Sequence, residues 1–295
     1  MPLSQLQLRA FILGLLLILT AALGVDVFLK GGLVAAVGQS TSEGLLTVAF
    51  LDVGQGDAIY IETPDGVQLL IDGGPDGSVV RELPKFMSLF DRSLQIVLAT
   101  HSDKDHIGGL IDVLELYEVE NIVRTENTND TSVAAVFSAL ESKENATTHY
   151  VRAGQDFALG ASTTLLILSP GSNPEGWESN TASIVAQLTY GEISFMLTGD
   201  APLGIEEYLV ESSGPLLESE VVKLGHHGSR TSTADSFLAA VDPEYAVVSA
   251  GKNNSYGHPH ESVVDKVQAQ GSTLLSTATN GTVVFKSDGK RVWVE

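Results

Sequence analysis

The sequence predicts a layered α/β fold preceded by one N-terminal hydrophobic helix. Three observations carry that expectation. From residue 45 onward, strand-length apolar runs alternate with segments of helical spacing, an order that implies sheets covered by helices. The composition is that of a packed chain, with 43% hydrophobic and 18% charged residues over 295 positions. Ahead of these runs, Ala10 to Val25 carries no charge, and Thr20 is its only polar residue.

Residues 1–30 read as a membrane anchor or signal segment. Arg9 precedes the apolar run and Asp26 and Lys30 follow it, so residues 10–29 approach the roughly 20 apolar residues that span a bilayer. Arg9 and the amino terminus favour an inside N-terminus. The alternative is a cleaved secretory signal, with Ala22-Leu23-Gly24 as its small-residue site. The first outcome is single-pass anchoring with the remaining chain extracytoplasmic; the second is secretion. Residues 31–44 are Gly-, Ala- and Ser-rich and read as a linker. Residues 45–295 then form one domain.

Within that domain Leu45 to Val53 is a strand-length run ending in Gly-Gln-Gly-Asp. Ala58 to Glu62 and Gln68 to Ile71 are strands joined by a Thr-Pro-Asp-Gly turn. Ile96 to Ala99 is a strand entering a polar loop, and Gly109 to Leu116 and Val133 to Lys143 have helical spacing. Strands follow at Thr163 to Leu168, Ile184 to Tyr190 and Ser194 to Leu197, then a helix at Gly204 to Ser212. Strands at Val221 to Leu224 and Tyr245 to Ser249 bracket a helix at Ala234 to Ala240. A helix at Val263 to Ala269 and short strands near Thr273, Thr282 and Arg291 close the chain.

The absence of Cys removes thiolate metal sites, iron–sulfur clusters, disulfides and cysteine nucleophiles. With 16 Lys and Arg against 37 Asp and Glu, the formal charge of −21 argues against coating nucleic acid by general electrostatics. A local nucleic-acid site remains compatible with it. No Gly-x-Ser-x-Gly elbow and no P-loop sequence is present.

The chemistry concentrates in loops after the strands. His101-Ser102-Asp103-Lys104-Asp105-His106 puts two imidazoles and two carboxylates within six residues, which no single helix or strand places on one side. Nitrogen and oxygen donors without thiolates suit zinc, manganese or iron, and their density favours a two-metal site. Further donors follow in Leu197-Thr198-Gly199-Asp200, in Gly225-His226-His227-Gly228-Ser229, and in Gly257-His258-Pro259-His260. The loops lie where open α/β sheets place ligands. His149 stands apart and reads as a surface residue. Asp52, Gln55, Asp57 and Asp72 belong to the first strands and their turns, where side-chain bonds to backbone suit the neighbouring glycines. The acidic groups at Asp112, Glu115, Glu118 and Glu120, and at Glu206, Glu207 and Glu211, read as solvated helix faces.

Four ordered motifs carry a family resemblance: residues 50–57 (FLDVGQGD), 100–109 (THSDKDHIGG), 197–200 (LTGD), and 225–229 with 257–260 (GHHGS and GHPH). With them, residues 47–295 resemble the metallo-β-lactamase superfamily, and most of all the C-terminal extracytoplasmic domain of the ComEC DNA-uptake family. The resemblance implies a four-layer αββα sandwich with two divalent metal ions, zinc or manganese, at one edge. It implies His101 and Asp103 on one metal, Asp105 and His106 on the second, and Asp200 as the bridge. Either His226 or His227 would complete the second metal, with His258 close by. The chain departs from the usual superfamily pattern in two places. Asp103 stands where that pattern has His, and Asn180 lies in the region of its third-motif His. The first metal is therefore poor in nitrogen donors, which favours manganese. The uptake channels also carry many membrane helices ahead of this domain, against one candidate here.

The expected function is a phosphodiesterase or nuclease acting on DNA in uptake or scavenging, outside the cytoplasm. Asp105 would orient the nucleophile, and His258 or the spare imidazole would protonate the leaving oxygen. Lys223, Arg230, Lys252, Ser229 and Asn180 would contact the phosphodiester. The membrane through residues 10–29 and a separate channel protein are the expected partners. The competing expectations are a small-molecule phosphodiesterase, of the choline phosphate ester type, and a catalytically weak DNA-binding module.

Overall fold

The computed structural model describes residues 44–295, apart from residue 89, and the backbone of residues 33 and 34. The expected anchor at 1–30 and most of the expected linker lie outside the described residues. Among the described residues, no helix is long and apolar enough to cross a membrane.

Among the described residues, sixteen strands form two sheets. Their ranges in chain order are β1 Leu33–Val34, β2 Leu46–Phe50, β3 Ile59–Glu62, β4 Gln68–Ile71, β5 Ser93–Leu98, β6 Glu118–Arg124, β7 Thr147–Tyr150 and β8 Asp156–Ala158. They continue as β9 Thr163–Ser169, β10 Val185–Tyr190, β11 Ile193–Leu197, β12 Val221–Lys223, β13 Tyr245–Val248, β14 Thr273–Ser276, β15 Val283–Ser287 and β16 Val292–Val294. One sheet runs β16-β15-β2-β3-β4-β5-β6-β7 and the other β1-β8-β9-β10-β11-β12-β13-β14. The described helices are α1 Val79–Glu82, α2 Lys104–Leu116, α3 Ser132–Glu141, α4 Leu203–Ser213, α5 Asp235–Val241, α6 Glu261–Gln270 and α7 Thr277–Asn280. Leu33–Val34, inside the stretch expected as linker, pairs parallel with Phe157–Ala158.

The alternation of side chains along each strand builds three apolar interfaces. Leu46, Val48 and Phe50 of β2 face Phe195, Val221 and Val247 of the other sheet. The Phe285 ring joins them, 5.9 Å from both Phe50 and Phe195 and 5.4 Å from Tyr245. Ala49, Leu70 and Val97 point outward onto Ile107, Leu110 and Val113 of α2 and Phe137 of α3. Val222, Ala246 and Val248 likewise pack on Leu209, Phe237 and Val267 of α4 to α6. The result is helix, sheet, sheet, helix. Strands buried on both faces read as continuous apolar runs, which is why β2, β4 and β13 were legible.

The topology collects loop ends at one edge. β2 and β4 are each antiparallel to β3, so they point the same way, and β4, β5 and β6 are parallel. In the second sheet β11, β12, β13 and β14 are parallel. Just past β5, Thr100 accepts a 3.0 Å hydrogen bond from the N–H of Ile184, just ahead of β10. The two sheets therefore meet where the motif loops emerge.

Candidate metal centre

The second half of the His101–His106 motif is helical, not loop. α2 starts at Lys104, five residues before its expected start, with the Asp103 carbonyl accepting from the N–H groups of His106 and Ile107. Gly108, just ahead of the expected start, breaks the helical pattern because glycine disfavours helix, yet the structure uses both Gly108 and Gly109 within α2. Their role is close packing. A Cβ on Gly109 would lie 2.0 Å from the Gly73 carbonyl oxygen. With no side chain there, α2 settles on the 73–76 backbone, and the Gly73 N–H donates to the His106 carbonyl at 2.7 Å. His106 thereby reaches Asp72.

Asp72 aligns two imidazoles. Its Oδ2 lies 2.8 Å from His106 Nδ1 and accepts from the Thr100 hydroxyl at 2.6 Å. With that hydroxyl proton committed, the Thr100 oxygen is left to accept from His101 Nδ1, 3.0 Å away. His227 Nδ1 lies 3.0 Å from the Ser249 carbonyl oxygen, which only accepts. All three rings are thus held by Nδ1, leaving Nε2 free, as ligating imidazoles are held from behind.

The free atoms converge on one oxygen. Asp200 Oδ2 lies 3.3 Å from His106 Nε2, 3.5 Å from His227 Nε2, 3.9 Å from His226 Nε2 and 4.0 Å from His101 Nε2. His227 Nε2 is also 3.3 Å from Asp105 Oδ2, and His101 Nε2 is 3.8 Å from Asp103 Oδ2. The Nε2 atoms of His101, His106 and His227 are buried without a hydrogen-bond partner. His101, His106 and Asp200 can together hold a cation, as can Asp105, His106 and His227.

His226 and His227 take left-handed φ values of 48° and 56°, uncommon for residues with a Cβ. This strain splits adjacent imidazoles. His227 turns into the cluster and is buried, whereas His226 stays partly exposed with Nδ1 3.2 Å from Thr231 Oγ1. Strained backbone of this kind concentrates at functional sites.

The charges are strongly coupled. Burial opposes the charged form of His227, but Asp200 and Asp57 outweigh it and push this imidazole up to about 9. His106 is likewise held well above its usual value, with Asp200 and Asp72 overcoming burial. His101, with burial dominant and His106 beside it, is pushed down to about 4. Burial would raise Asp200, yet His227, His106 and Lys223 hold it well below the carboxylate range.

The remaining expected residues divide. His258 stands at the rim, its ring 5.8 Å from that of His226 and 6.2 Å from that of His227. Burial and the neighbouring imidazoles push it down to about 4. Arg230 is exposed, with Nη2 2.9 Å from His260 Nε2, and Lys252 is exposed. The Ser229 hydroxyl is buried in a turn, accepting from the N–H and hydroxyl of Thr231. Asn180 Oδ1 is buried without a partner, and Asp103 is held by Asn129. His149, on β7, has Nε2 3.1 Å from Asn121 Oδ1, away from the cluster.

Two expectations are corrected. Lys223, expected to contact substrate, is wholly buried beneath the cluster. Its Nζ pairs with Asp57 Oδ2 and donates to the Gly199 carbonyl at 2.7 Å, because β12 points this side chain inward before the loop begins. Glu206, expected on a solvated face, is 1% exposed and accepts from the N–H groups of Thr233 and Ala234. The functional residues missed from sequence are Asp57 and Asp72. Asp57 lies 3.4 Å from His227 Nδ1 and 3.8 Å from His106 Nδ1, behind the rings. The signal available was their place at the ends of buried strands. Asp52 does cap a turn, accepting from Gly54 N–H, and Gln55 accepts from Gly251 N–H.

The Metallo-beta-lactamase superfamily model matches residues 51–252. Competence protein ComA of Neisseria gonorrhoeae is 32% identical over 288 residues, covering 96% of this chain and 39% of the relative. ComE operon protein 3 of Bacillus subtilis is 29% identical over 264 residues, covering 83% of this chain and 33% of the relative. The chain thus spans 33% and 39% of these two relatives. Among solved structures, the metallo-beta-lactamase fold protein YhfI of Bacillus subtilis superposes with TM-score 0.57 at 14% identity, over 83% of this chain and 100% of that one.

Proposed function

The chain belongs to the metallo-β-lactamase superfamily and is ComEC-like, and from that premise we propose a metal-dependent phosphodiesterase that cleaves DNA outside the cytoplasm. The superfamily implies divalent metal, and the residues fit it, since three buried imidazole nitrogens lack any partner and face carboxylates. His106, His227, Asp105 and Asp200 would hold one cation; His101, Asp103 and Asp200 would hold the other. When bound, the cations would activate water and polarise the phosphoryl oxygen.

The protein's own groups supply the rest. Asp105 is partly exposed at the mouth of the cluster, with Oδ2 3.3 Å from His227 Nε2, where its carboxylate would orient the attacking nucleophile. His258 stands at the rim beside His226 and His227, where its imidazole would hydrogen-bond the leaving oxygen of the substrate. Of the cations expected at the phosphate, Arg230 and Lys252 are exposed and available to it. The uptake role is supported by the competence relatives; the membrane anchor and a separate channel partner belong to the same reading and rest on the apolar run at residues 10–29. The observation that carries it is the convergence of four imidazoles on Asp200 Oδ2.

The test is hydrolysis of a single-stranded oligonucleotide and a chromogenic phosphodiester by the manganese- or zinc-loaded chain. Asp105→Ala should lower turnover at least about 100-fold. Absence of cleavage by the wild type, or equal cleavage by the variant, refutes the proposal. Turnover of the small ester alone would move the substrate class to small phosphodiesters.

A further inference from the structure

Beside the metal edge lies an uncharged cavity of about 320 Å³, lined by Ser169, Gly171, Ser172, Trp177, Ile205 and Tyr208. We propose that this cavity is a subsite for a base of single-stranded nucleic acid, placed between Trp177 and Tyr208. It rests on the phosphodiester reading above and names the substrate class.

Its walls are built from the elements that build the centre. α4 begins three residues after Asp200, and Tyr208 lies five residues further, about 7.5 Å along the axis. Ile205 and Tyr208 share a helix face at i, i+3 spacing. On the opposite side, the Asn127 amide donates to the Trp177 carbonyl at 3.0 Å. Two residues on, Ser179 accepts from Asn129, the residue that also holds Asp103. The Trp177 wall is therefore tied to the first-metal side, and the Tyr208 wall to Asp200.

The lining explains how an acidic protein could retain an anionic strand. At −21, the chain lacks the general phosphate attraction on which most nucleic-acid binding draws. No charged side chain lines the cavity. What it offers instead is two aromatic rings with hydroxyls nearby, and base stacking on aromatics is independent of phosphate charge. Tyr208 is 48% exposed, so its ring face is accessible to a base entering the cavity. Gly171 lets its ring lie close, since a Cβ there would stand 3.1 Å from the tyrosine oxygen. The volume falls at the small end of ligand pockets, about 300–1,000 Å³, as suits one ring system.

Trp293 is the second of two tryptophans, so Trp293→Phe leaves Trp177 as the sole indole reporter. The full chain carrying that change is titrated, with chelator present, with oligothymidylate, with an abasic oligomer of equal length and with inorganic phosphate. Quenching of Trp177 by oligothymidylate alone is the expected result. Tyr208→Ala should weaken that binding roughly tenfold, and Tyr208→Phe should retain it. Equal quenching by the abasic oligomer, or unchanged affinity in Tyr208→Ala, overturns the subsite. Because the titration needs no turnover, it separates failure of the subsite from failure of the hydrolase reading.

Discussion

The Nζ of Lys223 is paired with Asp57 beneath the metal centre, with neither residue more than 1% exposed. Asp57 in turn faces Nδ1 of His227 and His106, and Lys223 lies 3.5 Å from Asp200 Oδ1. An internal ammonium thus engages one Asp200 oxygen while the other meets the four imidazoles.

Lys223→Met should destabilise the protein by about 3–5 kcal/mol, because it strands a buried carboxylate. Pairing it with Asp57→Asn should restore much of the loss. Guanidinium unfolding of both variants reads this; a double variant equal to the sum of the single changes would show that the pair is uncoupled.

His227→Ala should weaken divalent cation binding by a factor of ten or more, since its Nε2 has no other partner. His226→Ala should bind cation nearly as the wild type does, its ring being partly exposed and 3.9 Å from Asp200. Calorimetric titration with manganese or zinc compares them, and equal losses would count against the division of roles.

Gly109→Ala should cost at least about 2 kcal/mol, since the new Cβ meets two backbone carbonyls within 2.5 Å. It should also lower cation affinity by moving His106 from Asp72. Gly204→Ala, in the first turn of α4 with open space around its Cβ, should stabilise by about 0.4–1 kcal/mol. Thermal unfolding of the two variants should shift in opposite directions.

Burial raises the Glu206 carboxyl to about 7, against the bonds it accepts from Ala234 and Thr233. Below its unfolded value of 4.5 it is protonated in both states, and above about 7 it is ionised in both. Between these limits the folded state binds the extra proton, so this residue makes stability fall as pH rises from about 4.5 to 7. Glu206→Gln should flatten the decline. Unfolding free energies measured across pH 4–8 test it, and parallel curves would exclude the effect.

Buried strands were readable from sequence because both of their faces are apolar. β6 was not, since Glu118, Glu120 and Asn121 interrupt its apolar residues and mimic a solvated helix. The first turn of α2 is hidden in the sequence by its polar residues and by Gly108, which obeys packing against Pro75, not helix propensity.

By itself, the sequence determined the donor chemistry: imidazole and carboxylate without thiolate, in ordered loops following strands. It also determined the layered class, because hydrophobic period is local. Tertiary structure alone decided which histidine turns inward, that Lys223 is buried, and that Asp57 and Asp72 stand behind the rings. Those outcomes depend on backbone strain at His226 and His227 and on contacts between residues such as Asp72 and His106, 34 positions apart. Sequence spacing carries no record of which groups such contacts leave dry, and burial is what sets their charge.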